Sequence, residues 1–145
     1  MVVIIGSDHG AFEAKESLKE SLNGHEIIDV GTDSADSCHY PEYAVALVRE
    51  VIKRDTIGII LCGSGIGVSM VANRYAGIRA ALVRTTEEAR LSREHNNSNV
   101  LCLGGRISSE DEIKEIVKTW INTPFEGGRH SIRLSMFENL GEKMD

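Results

Sequence analysis

Basic tracts, a disulfide framework and long hydrophobic runs are all missing from this chain of 145 residues. Its 16 lysines and arginines are outnumbered by 22 aspartates and glutamates, which gives a net charge of −6. An acidic chain without a basic stripe is not expected to take nucleic acid or an anionic membrane as its main partner. Three cysteines form an odd number in no framework spacing, so a reduced, cytoplasmic setting is expected rather than a disulfide scaffold.

The amino-terminal segment likewise lacks the features of a leader. Met1 and the four apolar residues after it carry no basic segment, and Gly6 and Ser7 then end the run. Such a run is too short for a signal peptide or a membrane span. With no repeat and no low-complexity linker, the length predicts one compact domain over residues 1–145.

What the sequence does contain is an alternation of short, β-branched apolar runs with amphipathic stretches. This pattern predicts parallel βαβ units, that is, a Rossmann-like, three-layer α/β fold with one doubly wound, five-stranded parallel sheet. The predicted strands are residues 2–6, 26–30, 57–62, 79–83 and 100–103. The predicted helices between them are residues 12–22, 42–53, 67–75 and 87–95. For the strand order we adopt the common 2-1-3-4-5.

Two further helices are predicted after the last strand. Ser109 and Glu112 have the spacing of a capping box, and an apolar face of helical period follows: Ile113, Ile116, Val117, Trp120 and Ile121. The segment 123–128 then breaks the chain, and an extra C-terminal helix is predicted over residues 129–143. Because that helix is too polar for a core, residues 124–145 are expected to form an arm that contacts a partner subunit.

A glycine-rich turn directly follows the third predicted strand, which ends at Cys62. The turn reads Gly63-Ser64-Gly65-Ile66-Gly67 and leads into a predicted helix. A thiol in this position can remove a proton beside an oxyanion that free backbone N–H groups stabilise. A free cysteine is more often only a small buried hydrophobe, which is our interpretation of Cys102. The glycines beside Cys62 are expected to keep it open.

Two other uses of a glycine-rich turn do not fit this one. The dinucleotide pattern G-x-G-x-x-G needs a glycine where Val68 stands, and Arg84, not an acidic residue for a ribose, follows the fourth strand. A cysteine phosphatase would need an arginine within the six residues after Cys62, and none is there. Nicotinamide, flavin and cysteine-phosphatase chemistry are therefore not expected.

The first strand brings two more polar residues to the same place. In a doubly wound sheet the ligand lies outside the carboxyl ends of the strands, where the strand order reverses. With the order above, this point lies between strands one and three, so Asp8 and His9 should face Cys62. Alone, Asp8 would be read as a helix cap and His9 as a surface imidazole.

Further polar residues group later in the chain. His95 and Asn96 stand just before strand five, where they could also be only a helix end. Arg106 follows the Gly104-Gly105 turn, and Arg129 and Arg133 lie four residues apart on the last helix. Three arginines in an acidic protein suggest a phosphate clamp, because the guanidinium fork matches phosphate oxygens. A solvated face, or a salt bridge to Glu126, is the alternative.

Six motifs together resemble a known family from the first strand to the last helix. They are Gly6-Ser-Asp-His-Gly10, Tyr40-Pro41-x-Tyr43-Ala44, Leu61-Cys-Gly-Ser-Gly-Ile-Gly67, Ala72-Asn-Arg74 with Gly77-Ile-Arg-Ala80, Leu91-Ser-Arg-x-His-Asn96, and Glu126-Gly-Gly-Arg-His130 with Arg133. They resemble ribose-5-phosphate isomerase type B, a family shared with galactose-6-phosphate isomerase subunits and enzymes of allose 6-phosphate. The resemblance implies a metal-free aldose–ketose isomerisation through a cis-enediolate, with no organic cofactor.

Site roles follow from the resemblance, position by position. Cys62 matches the proton-transferring base, the backbone of Gly63 to Gly67 with Ser64 matches the anion hole, and His95 matches the residue that opens the sugar ring. The positions that match substrate contacts are Asp8, His9, Tyr43, Gly65, Ile66, Asn96, Arg106, Arg129 and Arg133. Members that lack the cysteine use a glutamate at the position of Val68. The family's usual aspartate before Tyr40 is His39 here, preceded by Cys38.

Topology adds an expectation about assembly. Cys62 ends a strand, whereas His95 precedes one, so the two should lie at opposite edges of the sheet. They can act on one sugar only from different subunits, which predicts a homodimer, or a dimer of dimers, with shared sites. The expected function is interconversion of ribose 5-phosphate and ribulose 5-phosphate. The alternatives are isomerisation of allose or galactose 6-phosphate, or a non-catalytic sugar-phosphate-binding subunit.

Overall fold

Five parallel strands form the centre of the computed structural model, which describes residues 1–144. The strands are β1 (Val2–Ser7), β2 (Glu26–Asp29), β3 (Ile57–Cys62), β4 (Ala80–Leu82) and β5 (Val100–Gly104). The helices are α1 (Phe12–Ser21), α2 (Tyr40–Arg54), α3 (Ile66–Ala72), α4 (Thr86–Glu94), α5 (Glu110–Asn122) and α6 (Arg129–Ser135). Asp145, the last residue of the predicted domain and arm, lies outside the described residues.

The strand order is β2-β1-β3-β5-β4, so the predicted order was wrong for the last two strands. β5 is buried along its whole length and pairs with β3, whereas β4 has three half-buried residues and forms an edge. A strand that is apolar on both faces is favoured between two neighbouring strands. This explains why β5 lies inside the sheet and β4 lies at its edge. The order still reverses between β1 and β3, as predicted.

Helices cover both faces of the sheet, which confirms the predicted three-layer, doubly wound architecture. Alternate residues of each strand face opposite layers. Ile59 and Leu61 pack with α1, α4 and α5, and Trp120 of α5 is fully buried there. Ile60 and Cys62 instead pack with α2 and α3. The side chain of Cys62 therefore points to the α2 and α3 side.

Helix ends follow the caps that the side chains provide. The capping box is confirmed: Ser109 Oγ accepts from the Glu112 amide, and a Glu112 carboxylate oxygen accepts from the Ser109 amide. α3 ends at Ala72, three residues earlier than predicted, because the Asn73 side chain both accepts from the Ala80 amide and donates to its carbonyl, each at 2.9 Å.

α6 is much shorter than the predicted helix over residues 129–143. It ends at Ser135, and the chain then turns back on itself at Gly141, whose φ of +108° is outside the helical region. Glu142 donates to the Arg74 carbonyl at 2.8 Å and accepts from the Ala76 amide at 2.9 Å. The end of the predicted arm is thus bound to its own chain, beyond α3.

Candidate active site

Cys62 lies in an open cleft of about 650 Å³ at the carboxyl end of β3. The cleft is lined by Asp8, Tyr40, Cys62, Gly63, Ser64, Ile66, Gly67, Met70, Arg106 and Ile107. β1 and β3 pair side by side up to Ser7 and Leu61, so the residues that follow them emerge together. The structure therefore brings Asp8 next to the Cys62 turn, as the strand pattern predicted.

Cys62 is 5% exposed, and its sulphur accepts a hydrogen bond from the Gly65 amide at 3.1 Å. An amide donor of this kind stabilises negative charge on sulphur. Gly65 can reach the sulphur because it has a φ of +79° and packs closely against β5, where a side-chain carbon would lie only 2.8 Å from the Leu103 backbone. Glycine is required here by both the dihedral angle and the space.

Arg106 enters the same cleft from the turn after β5. Its amide donates to the Gly63 carbonyl at 3.0 Å, and its guanidinium packs against Gly10 and Gly63. Asp8 is 7% exposed, and its carboxylate accepts from the Gly10 amide at 3.0 Å. A cation and a buried carboxylate thus border the thiol from two neighbouring loops.

His9 is held by the Cys38–His39 segment, where the sequence differs from the family that its motifs resemble. The Cys38 amide donates to His9 Nδ1 at 3.2 Å, and the His9 amide donates to the Cys38 sulphur at 3.3 Å. Because Nδ1 accepts a hydrogen bond, the proton of a neutral His9 ring lies on Nε2. His39 is exposed at the start of α2.

The two tyrosines of α2 have different positions. Tyr40 lines the cleft, and its ring packs so closely on Gly67 that a side-chain carbon there would meet it at 2.5 Å. Tyr43 is half-buried and packs against the core group that contains Cys62. A contact between Tyr43 and a sugar stays a prediction. Tyr40 was missed as a lining residue, and its place beside Pro41 at the helix start was the available signal.

The remaining predicted site residues form a second group elsewhere on the chain. His95 ends α4, and Asn96 after it lines a separate cavity with Phe137, Leu140 and Gly141. Arg129 and Arg133 are exposed on α6. α6 packs on the end of α4 and so brings this second group together. His130 of α6 stacks on His95, with the ring centroids 4.4 Å apart.

A buried polar network holds the loop that carries this second group. Trp120 Nε1 donates to the Ser98 hydroxyl at 2.7 Å, and Ser98 pairs with Ser92 at 2.9 Å. Arg93 binds the Asn97 side chain, the Ser98 carbonyl and the Thr123 carbonyl. Burial lowers the pKa of Arg93, and the charge of Arg79 adds to this, yet the guanidinium remains bound to these acceptors. Sequence reasoning did not find this network.

The two groups lie at opposite ends of the sheet. Gly58 pairs with Val100 at the amino end of β3 and β5, next to the loop of His95, whereas Cys62 pairs with Gly104 at the other end. At about 3.3 Å per residue, the four steps from Gly58 to Cys62 span roughly 13 Å. Arg106 lies with Cys62, while Arg129 and Arg133 lie with His95, so the three arginines do not meet within one chain.

The fold and the cleft define a class: doubly wound α/β proteins with a ligand site at the reversal of strand order, here with a thiol and a glycine-rich turn. A family model described as Ribose/Galactose Isomerase matches residues 3–137. The chain belongs to this family, and the protein is an isomerase.

Individual relatives agree with the family match. Ribose-5-phosphate isomerase B of Escherichia coli (strain K12) is 39% identical over 144 residues, which cover 97% of each chain. The structure of Clostridium thermocellum ribose-5-phosphate isomerase B has 40% identity and a TM-score of 0.93 over 95% of both chains. The Mycoplasma genitalium ribose-5-phosphate isomerase B, solved with bound ribulose-5-phosphate, has 36% identity and a TM-score of 0.91 over 94% of this chain and 93% of that one.

Within residues 1–144, no helix has the length and apolar content needed to cross a bilayer. The cytoplasmic location expected from the sequence stays a prediction.

Proposed function

We propose that the protein interconverts ribose 5-phosphate and ribulose 5-phosphate, with Cys62 as the base that moves the proton. The observation that carries this proposal is the Cys62 sulphur at the cleft wall with the Gly65 amide 3.1 Å away. The bound ribulose-5-phosphate in the Mycoplasma genitalium relative supports a pentose phosphate as the ligand of this cleft.

In the proposed reaction the Cys62 thiolate removes the proton from C2 of the open-chain aldose. The electron pair forms the C1–C2 double bond, and the former carbonyl oxygen O1 takes the negative charge of a cis-enediolate. The proton of the C2 hydroxyl passes to O1, and the Cys62 thiol then returns its proton to C1, which leaves the ketose. A carbon acid beside a carbonyl is weak, so the base needs an anion-stabilising partner.

The turn after Cys62 supplies that partner. Its Gly65 amide donates to the sulphur and its Ile66 amide donates to the Ser64 hydroxyl, so these two donors are engaged. Gly63, Ser64 and Gly67 also line the cleft, and their amides are the donors we propose for the enediolate oxygen. Asp8, which lines the same cleft beside this turn, is placed to accept from a sugar hydroxyl.

The sugar in solution is a closed ring, and we propose that His95 of a second subunit opens it. Each of the two site groups is bordered by exposed apolar side chains. Tyr40, Ile66, Met70 and Ile107 lie around the Cys62 cleft, and Ile132, Met136, Phe137 and Leu140 lie on and after α6. Exposure of 64% at Met70 and 74% at Met136 is unfavourable in water and typical of an interface.

A second copy that packs these two surfaces against each other would bring His95, Asn96, Arg129 and Arg133 to the cleft of its partner. The phosphate would then meet Arg106 and His9 from one chain and the two arginines of α6 from the other. Binding energy from a phosphate remote from C1 and C2 orients the reacting carbons. No organic cofactor and no metal ion take part in the proposed reaction.

The test is an initial-rate assay of the purified protein with ribose 5-phosphate, allose 6-phosphate and galactose 6-phosphate, with and without EDTA. The Cys62→Ala protein, prepared in the same way, controls for a contaminating host enzyme. We expect the highest kcat/KM with ribose 5-phosphate, unchanged by EDTA. Preference for a hexose phosphate would replace the proposed substrate, and binding without turnover would favour the non-catalytic alternative.

A further inference from the structure

His95 does not stand alone at the end of α4, because the imidazole of His130 lies flat against it. The ring centroids are 4.4 Å apart and the ring planes differ by 18°, which is a stacked arrangement. His130 is the second residue of α6 and is 6% exposed, whereas His95 is half-buried. The buried ring thus forms a wall for the accessible ring.

Several bonds fix this wall. The Glu126 amide donates to the Glu94 carbonyl at 3.1 Å, which ties the segment before α6 to the last turn of α4. The Glu126 carboxylate lies 3.4 Å from His130 Nε2, and the His130 amide donates to the Gly127 carbonyl at 3.2 Å. His130 is therefore held through its backbone, while its buried Nε2 faces the Glu126 carboxylate without a hydrogen-bond partner among the described residues.

The same three side chains also have the composition of a metal site, since ligand atoms of His95, Glu126 and His130 all lie within 4.8 Å of one another. The stacked geometry argues against that use. Imidazole donates its lone pair in the plane of the ring, so two nearly parallel rings direct their lone pairs side by side and not to a common point. One ring would have to leave the stack before both could bind one ion.

We propose that His130 is a positioning residue for His95: its ring restricts rotation of the His95 imidazole and so holds the nitrogen that exchanges a proton with the sugar ring. This inference rests on the proposed function of His95. A side chain that is free to rotate about its ring bond samples several orientations. Proton transfer needs one orientation within hydrogen-bond reach of the ring oxygen.

The arrangement also joins two tasks in one helix. His130 faces inward from α6 onto His95, while Arg129 and Arg133 on the same helix are exposed. The proposed phosphate contacts and the support of His95 therefore depend on the position of the same helix. A defect in this contact should affect opening of the sugar ring and leave the proton transfer at Cys62 unaffected.

The two directions of the reaction separate these steps. Ribose 5-phosphate is a furanose in solution and needs ring opening. Ribulose 5-phosphate has its C5 hydroxyl esterified, so it enters as an open chain. We would measure initial rates in both directions for His130→Leu, which fills the buried volume without a flat face, and for His130→Phe, which restores the flat face without a nitrogen. Melting temperatures of both proteins show that they are folded.

We expect His130→Leu to lower the rate with ribose 5-phosphate about tenfold or more. The same variant should consume ribulose 5-phosphate within about twofold of the wild-type rate. His130→Phe should recover most of the loss with ribose 5-phosphate. Equal losses in both directions, no loss in His130→Leu, or no recovery in His130→Phe would overturn the inference. His95→Ala distinguishes the two proposals. If His95→Ala loses activity only with ribose 5-phosphate and His130→Leu does not, the proposed role of His130 is wrong and that of His95 stands. If His95→Ala shows no such directional loss, the proposed role of His95 is wrong.

Discussion

The three thiols of the chain lie in three different environments. Cys102 is fully buried, and burial raises the pKa of its thiol, with a smaller contribution from the nearby Cys62. Cys38 is half-buried and accepts from the His9 amide. Only Cys62 combines an amide donor to sulphur with a place in the cleft. Position, and not residue type, therefore separates the proposed base from the other two.

Replacing Cys62 with alanine should lower isomerase activity to about a thousandth or less, because the residue acts on the proton in the transition state. Binding of ribose 5-phosphate, measured by calorimetry, should be nearly unchanged. Iodoacetamide should inactivate the wild-type protein, with protection by substrate. Cys38→Ser is the matched control: it should be active and equally sensitive to iodoacetamide. Full activity in Cys62→Ala would refute the assignment.

Arg129 and Arg133 are expected to bind the phosphate, which is remote from the reacting carbons. Alanine at either position should mainly raise KM for ribose 5-phosphate, with a smaller fall in kcat, because remote binding energy helps to orient the reacting carbons. Arg54→Ala removes the same charge from an ion pair with Glu50 on α2 and serves as the control. An unchanged kcat/KM would assign that arginine of α6 to a solvated surface.

At the scale of elements, an ion cluster joins α1 to the end of β2. Lys15 is 1% exposed and donates to Asp29 at 2.8 Å and to the Thr32 carbonyl at 2.6 Å, and Lys19 also reaches Asp29 at 2.8 Å. Burial acts to raise the pKa of Asp29, but the hydrogen bonds from Lys15, Lys19 and the Gly31 amide outweigh it, so the pKa is lowered. The same bond to Asp29 raises the pKa of Lys19.

Asp29→Asn should therefore cost up to about 3 kcal/mol of unfolding free energy at neutral pH, since the buried Lys15 ammonium loses its nearer carboxylate and keeps only Glu16 at 3.4 Å. A carboxylate with a lowered folded-state pKa contributes stability in full above its unfolded value, near 3.8 here, and loses it as the pH falls through the folded value. The difference between wild type and variant, measured by urea unfolding, should shrink below about pH 4. Asp33→Asn, at an exposed position, is the control variant. If the difference in unfolding free energy between wild type and Asp29→Asn did not change with pH, this explanation would be wrong.

At the scale of the whole molecule, the separation of Cys62 from His95 has a direct test. Cys62→Ala and His95→Ala proteins, each expected to be inactive with ribose 5-phosphate, should regain activity with that substrate when they are mixed under conditions of subunit exchange. Half of the dimers are mixed at equilibrium and each has one intact site of two, so recovery should approach about a quarter of the wild-type activity.

The reciprocal control uses the double variant with both substitutions in one chain. Mixed with wild type, it should lower activity, because every site of a mixed dimer then lacks one residue. Demonstrated exchange without recovery in the first mixture would show that each chain is complete by itself.

Much of the fold could be predicted from residue patterns, because those patterns express local physics. Strand β3, its end at Cys62 and the capping box of Ser109 and Glu112 depend on burial, chain reversal and cap bonds between residues close in sequence. For the same reason the place of Asp8 beside the Cys62 turn followed from the strand ends alone.

Other features were decided only by the tertiary structure. The exchange of β4 and β5 depends on which strand buries more surface between its neighbours, and the early end of α6 depends on the pairing of Glu142 with residues beside Tyr75. The stack of His130 on His95 joins two helices distant in sequence. No local propensity encodes such contacts, because their free energy comes from packing that exists only once the chain has folded.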